Sequence, residues 1–121
     1  ATQFQQAPQI AFVGGGNMAA SMLGGLLDSG HPAARICAAD PFPESLDRLR
    51  AIAPIAVFSD NASAVSGADI IILAVKPQVM AEAADSIAAN VQAHQPLVIS
   101  IAAGVTIASM QNRLGPHAAI V

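Results

Sequence analysis

Four apolar residues run straight into three consecutive glycines, Ile10-Ala11-Phe12-Val13-Gly14-Gly15-Gly16, and Asn17-Met18-Ala19 opens a stretch rich in Ala, Leu and Met. No other feature constrains the fold so tightly. An apolar run without polar alternation reads as a strand buried on both faces. The segment after the glycines reads as a helix over Asn17–Leu27, with Gly30 as its stop signal. The glycines must therefore make a sharp strand-to-helix turn. Gly14, Gly16 and Ala19 fit the spacing G-x-G-x-x-A. Gly14 allows the bend, Gly16 removes a Cβ that would hold a diphosphate away from the backbone, and Ala19 lets the helix close on the strand. Open N–H groups and the helix dipole favour an anion at such a place, and Asn17 is placed to cap the helix. A glycine triplet alone is also an ordinary turn. The strand before it and the helix after it are what make it a dinucleotide-binding turn.

The rest of the chain repeats the alternation. Ile36–Ala39, Ala56–Phe58, Ile70–Val75, Leu97–Ile101 and Ala118–Val121 are further apolar runs. Between them, Glu44–Ile52 spaces Leu46, Leu49 and Ile52 as on one helix face, and Asn61–Ser66 is a short helix with Asn61 as its cap. Gln78–Ala93 sets Val79, Ala83, Ile87 and Val91 four apart, and Thr106–Leu114 sets out Ile107, Met110 and Leu114. Strand and helix in strict alternation predict an α/β fold, a Rossmann-type doubly wound parallel sheet with helices on both faces. Residues 1–8 read as a polar tail and residues 9–121 as one NAD(P)-binding domain. With 121 residues, 54% of them hydrophobic, the chain can build a core without disulfides.

Composition removes several functions. Five basic against eight acidic residues leave no patch for nucleic acid or for an anionic membrane surface. No apolar run approaches the ~18 residues of a membrane span, and the N-terminus lacks the pattern of a signal peptide, so a cytoplasmic protein is expected. The single cysteine, Cys37, rules out an intrachain disulfide or a Cys-based zinc site and reads as a small buried residue. His31, His94 and His117 are scattered and read as loop positions, and no metal-ligand cluster or catalytic triad emerges.

Three more segments belong to the ligand edge of such a sheet. Asp40 ends the second strand about 20 residues beyond Ala19, where an acid can accept from the adenosine ribose and repel a 2′-phosphate. Arg48 and Arg50 on the next helix can offset that charge, which leaves NADH and NADPH both open. Lys76, the only lysine, follows the fourth strand and either attracts a phosphate or substrate carboxylate or is a solvated loop residue. Ser100-Ile101-Ala102-Ala103-Gly104 closes the fifth strand with small residues, as room for a flat ring or as a tight connection.

Together, Ile10–Ala19, Leu73-Ala74-Val75-Lys76-Pro77-Gln78 and Ile99-Ser100-Ile101-Ala102-Ala103-Gly104 resemble pyrroline-5-carboxylate reductase, from about Gln9 to Val121. The resemblance implies that Val13, Gly14, Gly15, Gly16, Asn17 and Met18 hold the diphosphate, and that Asp40 and Asn61 lie near the adenosine ribose. It implies that Ala74, Val75, Lys76 and Pro77 face the nicotinamide-side ribose, and that Ile101, Ala102 and Ala103 lie near the nicotinamide. Family members use NADPH or NADH, several with a hydroxyl or basic residue where this chain has Asp40. They reduce the imine of 1-pyrroline-5-carboxylate to L-proline by hydride transfer. They continue past a sixth strand into an Arg and Met-Pro-Asn segment and a helical domain for dimerisation and substrate binding, so this chain is expected to be the coenzyme-binding half. On that implication a homo-oligomer is expected of the full-length protein, no catalytic residue is assigned here, and the isolated chain binds coenzyme without turnover. The alternatives are a related hydroxy-acid or imine oxidoreductase and a non-catalytic dinucleotide sensor.

Overall fold

The computed structural model describes residues 7–101 and 104–121. Six strands form one parallel sheet: β1 (Ile10–Val13), β2 (Ile36–Ala39), β3 (Ala56–Phe58), β4 (Ile70–Leu73), β5 (Leu97–Ser100) and β6 (Ala119–Ile120). Five helices alternate with them: α1 (Asn17–Asp28), α2 (Pro43–Ile52), α3 (Asn61–Val65), α4 (Met80–His94) and α5 (Ile107–Leu114). The strand order is β3-β2-β1-β4-β5-β6. This order reverses between β1 and β4, the switch point at which doubly wound sheets bind their ligands.

Period-two alternation along the strands explains why helices cover both faces. Ala11, Val13, Cys37, Ala39, Ile71, Leu73 and Val98 point to the side covered by α3, α4 and α5, where Val65, Ala84, Ile87, Met110 and Leu114 are buried. Ile10, Phe12, Ile36, Ala38 and Ile72 point to the other side, against Ala19 and Leu23 of α1 and Leu49 of α2. A strand buried on both faces needs no polar alternation, which is why β1 and β2 are uniformly apolar and buried.

Helix ends follow local chemistry. The stop at Gly30 is a Schellman motif: Gly30, at φ +97°, donates to the Leu27 carbonyl at 3.0 Å, and His31 to the Leu26 carbonyl at 2.9 Å. Two caps differ from expectation by one residue. Gly16, not Asn17, caps α1, and among the described residues no side-chain cap bond is made to that end. Asp60, not Asn61, caps α3, accepting from the Ser63 amide at 2.8 Å. A third difference lies before α4, where Pro77–Val79 form a turn of 3₁₀ helix. That turn places Val79 outside α4 as its N-cap, where it is exposed, while Met80 is buried on the same face as Ala83, Ile87 and Val91. Ile52 and Ile107, expected on buried faces, are also exposed. Cys37 is buried as expected, with its Sγ donating to the Ala64 carbonyl at 3.1 Å. Burial pushes the thiol pKa up, further from a reactive thiolate, against a smaller lowering by a Gln9 hydrogen bond.

Candidate functional site

The strand registers line up the carboxyl ends. Val13 lies opposite Ala39 and Leu73, Ala39 opposite Phe58, and Leu73 opposite Ser100. Hydrogen bonds continue the ladders one residue past the strands. Gly14 donates to the Ala39 carbonyl at 2.9 Å, Ala74 to Val13 at 2.8 Å, Asp40 to Phe58 at 3.2 Å, and Ile101 to Leu73 at 3.2 Å. The residues singled out in the sequence therefore fall on one laced edge: Val13–Met18 after β1, Asp40 after β2, Asn61 after β3, Ala74–Pro77 after β4 and Ile101 after β5. Ala102 and Ala103 lie outside the described residues.

The glycine turn is built against the end of β4. Gly14 has φ +104°, and a Cβ on it would lie 2.5 Å from the Ala74 carbonyl oxygen and 3.0 Å from Val75 Cγ1. Gly15 is tight as well, since a Cβ there would lie 3.3 Å from both Asp40 Cβ and Leu49 Cδ1. Gly16 is the opposite case, with nothing within 4 Å of where its Cβ would be. The turn thus packs down at its first two glycines and faces open space at the third.

The same division holds for the amides. Gly14 donates to Ala39 and Gly15 to Asp40 Oδ2, the latter at 2.8 Å and buried. The first hydrogen bond of α1 runs from Ala20 to the Gly16 carbonyl, and no side chain caps the helix. The N–H groups of Gly16, Asn17, Met18 and Ala19 are accordingly the four a helix start leaves open. Gly16 is half-buried, and Asn17 and Met18 are exposed. Within the Val13–Met18 stretch, donation to an anion falls to the last three residues, and the first three set the shape.

Asp40 has an unexpected position. Its side chain is only 9% exposed and turns toward the turn itself. Oδ2 accepts from the Gly15 amide and Oδ1 from the Phe42 amide, each at 2.8 Å. One carboxylate thus ties the glycine turn to the start of α2. The spacing that marks a ribose acceptor in the sequence carries no sign of this second task. Asn61 sits past the outermost strand, where its Nδ2 donates to Ser86 Oγ of α4 at 2.9 Å. Ala74 and Val75 are half-buried under the turn, and Lys76 and Pro77 are exposed beyond it.

An open groove of about 650 Å³ lies elsewhere, between α4 and α5, and is lined by Pro77, Met80, Gly104 and the Asp85–Arg113 ion pair. It meets the ligand edge at Pro77 and at Gly104 and Val105. Among the described residues no cluster of His, Cys, Asp or Glu could hold a metal ion.

Known proteins resemble the chain in sequence and in fold. The chain is 44% identical over 114 residues to a pyrroline-5-carboxylate reductase of Pseudomonas aeruginosa, covering 94% of this chain and 41% of that one. It is 41% identical over 112 residues to the Pasteurella multocida protein of the same name, covering 90% of this chain and 40% of that one. The chain thus spans about two fifths of the length of these relatives. Its structure matches that of a pyrroline-5-carboxylate reductase from Coxiella burnetii with a TM-score of 0.90 at 32% identity, over 93% of this chain and 42% of that one. A Plasmodium falciparum pyrroline carboxylate reductase with NADP bound matches with a TM-score of 0.80 at 21% identity, over 95% and 41%; at that identity the likeness shows the fold alone. The family described as NADP oxidoreductase, coenzyme F420-dependent, matches residues 9–104, and this chain belongs to it.

Proposed function

We propose that the chain is the coenzyme-binding part of a reductase that passes hydride from NADPH or NADH to the imine carbon of 1-pyrroline-5-carboxylate, giving L-proline. One observation carries the coenzyme assignment. The amides of Gly16, Asn17 and Met18 stand uncapped at the switch point, beside a glycine whose missing Cβ leaves open space. That combination fits a diphosphate, because open helix-start amides and the dipole favour an anion and the absent side chain admits it. The identity with pyrroline-5-carboxylate reductases supports the substrate assignment.

In this reading Gly16–Met18 hold the diphosphate, with Asp40 near the adenosine ribose and Asn61 at the outer end of the same edge. Ala74–Pro77 lie along the nicotinamide-side ribose, and Ile101, Ala102 and Ala103 beside the ring. When bound, the coenzyme supplies the hydride. The chain's own residues bind and orient it, and orientation is what a hydride transfer chiefly needs from its scaffold. Among the described residues no group is assigned to deliver a proton to the imine nitrogen. A cytoplasmic setting and a homo-oligomeric whole protein belong to the same proposal; among the described residues no helix is long and apolar enough to cross a membrane.

The test is a titration of the protein with NADPH and NADH, followed by turnover of 1-pyrroline-5-carboxylate by the product of the whole gene. Saturable coenzyme binding that Gly16→Val abolishes is expected, together with coenzyme oxidation that depends on the imine. Binding indifferent to Gly16→Val removes the diphosphate assignment, and oxidation of coenzyme by a keto acid, or reduction of the oxidised coenzyme by a hydroxy acid, with no turnover of the imine removes the substrate assignment.

A further inference from the structure

Large apolar side chains exposed on this protein are concentrated at the ligand edge. Of the seven such residues among those described, Met18, Phe42, Val79 and Ile107 all stand at or just before the start of a helix, on the carboxyl side of the sheet. Phe42 is the most exposed of these four, at 64%. The other described phenylalanines are turned inward, Phe12 at 1% exposure and Phe58 packed against the core. A single exposed apolar residue needs no explanation. Phe42 differs because its backbone is held on every side. Pro41 and Pro43 flank it in sequence and restrict its conformation. Its amide donates to Asp40 Oδ1 at 2.8 Å, and its carbonyl accepts from the Ser45 and Leu46 amides at 3.1 and 3.4 Å. The same Asp40 carboxylate holds the Gly15 amide, so Phe42 and the glycine turn are fixed to one group.

We propose that Phe42 is the stacking platform for the adenine of the coenzyme. The inference rests on the proposed coenzyme function and adds a residue to it. A purine has an apolar face that gains by contact with an aromatic ring, whatever its edge carries. A ring on a rigid backbone loses little entropy on binding, so more of the contact energy appears as affinity. The position suits the base, since Phe42 follows by two residues the carboxylate expected at the adenosine ribose. A second protein surface that covered Phe42 in the whole protein would be the competing occupant, and the experiment separates the two.

The probes are NADH and reduced nicotinamide mononucleotide, which lacks the adenosine. Stacking is worth about 1–3 kcal/mol per base by alanine substitution, so Phe42→Ala is expected to weaken NADH at least about five-fold and leave the mononucleotide unchanged. Phe42→Tyr should bind NADH as the parent does, and Phe42→Leu, which keeps apolar bulk without a π-face, should not. The chain contains no Trp or Tyr, so Phe42→Trp introduces a single fluorophore whose emission ADP-ribose should quench. Affinity for NADH within two-fold of the parent in Phe42→Ala, equal weakening of both probes, or an unquenched Trp each overturns the proposal. Should the parent protein bind neither probe nor NADPH, the coenzyme reading itself falls, an outcome distinct from a parent that binds and an alanine variant that binds equally well.

Discussion

Adding one methyl group to the first or to the third glycine of the turn should give opposite phenotypes. At Gly14 the methyl meets the Ala74 carbonyl oxygen at 2.5 Å on a backbone at φ +104°. The left-handed conformation alone costs a side chain roughly 1–2 kcal/mol, and the clash adds to it, so Gly14→Ala should destabilise by about 3 kcal/mol or more. At Gly16 the methyl points into open space from a backbone at φ −79°. Gly16→Ala should therefore unfold in urea within about 0.5 kcal/mol of the parent, yet bind NADPH and NADH more weakly. Equal stability losses in the two variants would mean that the turn does not rest on the end of β4. Asp40 divides along similar lines. Read from the sequence, it chooses between coenzymes; in the structure, it also satisfies two main-chain donors with both oxygens. Asp40→Ser removes a charge-assisted bond to a buried amide, a loss of about 2 kcal/mol in unfolding free energy, and should also raise the preference for NADPH over NADH. Unchanged stability would show that the carboxylate does not hold the turn, and an unchanged coenzyme ratio would take it out of the discrimination.

Elements were legible in the sequence to the extent that burial on both faces marks them. The apolar runs Ile10–Val13 and Ile36–Ala39 coincide with β1 and β2 to the residue, because a strand in a covered parallel sheet is apolar throughout, and Ala56–Phe58 coincides with β3 although that edge strand is only partly covered. Helix ends were less legible, for local reasons. Asp60 and Asn61 are adjacent and both can cap, and backbone geometry alone decides that Asp60 does so. The turn of 3₁₀ helix at Pro77–Val79 is equally hidden, and it delays the start of α4, so that Val79 is left exposed and Met80 is the first residue of the buried face. The Asp60 cap has a consequence in acid. Hydrogen bonds from Ser63 hold the Asp60 carboxyl below the ordinary carboxylate range. A depressed folded pKa contributes stability that is fully present above the unfolded pKa and is lost as the pH falls through the folded one. Parent stability should thus fall more steeply than that of Asp60→Asn between roughly pH 5 and pH 2, when both are followed by urea unfolding. Parallel curves would mean that the cap contributes nothing measurable. At α5, Thr106 Oγ1 accepts from the Ser109 amide at 3.1 Å in the same manner but without a titrating group. Thr106→Ala should lower stability by about 1 kcal/mol, equally at all pH values.

For the whole molecule, the parallel sheet decides where function can be. Every strand runs the same way, so every strand ends on the same edge, and segments as far apart in the chain as Gly16 and Ile101 meet there. That gathering was legible, because strict strand–helix alternation with right-handed crossovers leaves few other arrangements. The inward turn of Asp40 and the rigid presentation of Phe42 were not legible, because both depend on hydrogen bonds between segments that the sequence shows only as separate turns. A ligand that bridges several of these segments should stabilise the whole sheet and not only the loop it touches. A coenzyme present at 100 times its Kd adds about 2.7 kcal/mol to the folded state, and for a domain of this length that corresponds to a rise of roughly 10 °C in Tm. Thermal unfolding with and without NADPH should show such a rise in the parent, a much smaller one with reduced nicotinamide mononucleotide at the same concentration, and none in Gly16→Val. The Tm of Gly16→Val without ligand should stay close to the parent value, because nothing occupies the space its side chain enters. A full rise in Gly16→Val would place the ligand away from the β1–α1 turn, and the architecture would then have to be read without a coenzyme at its switch point.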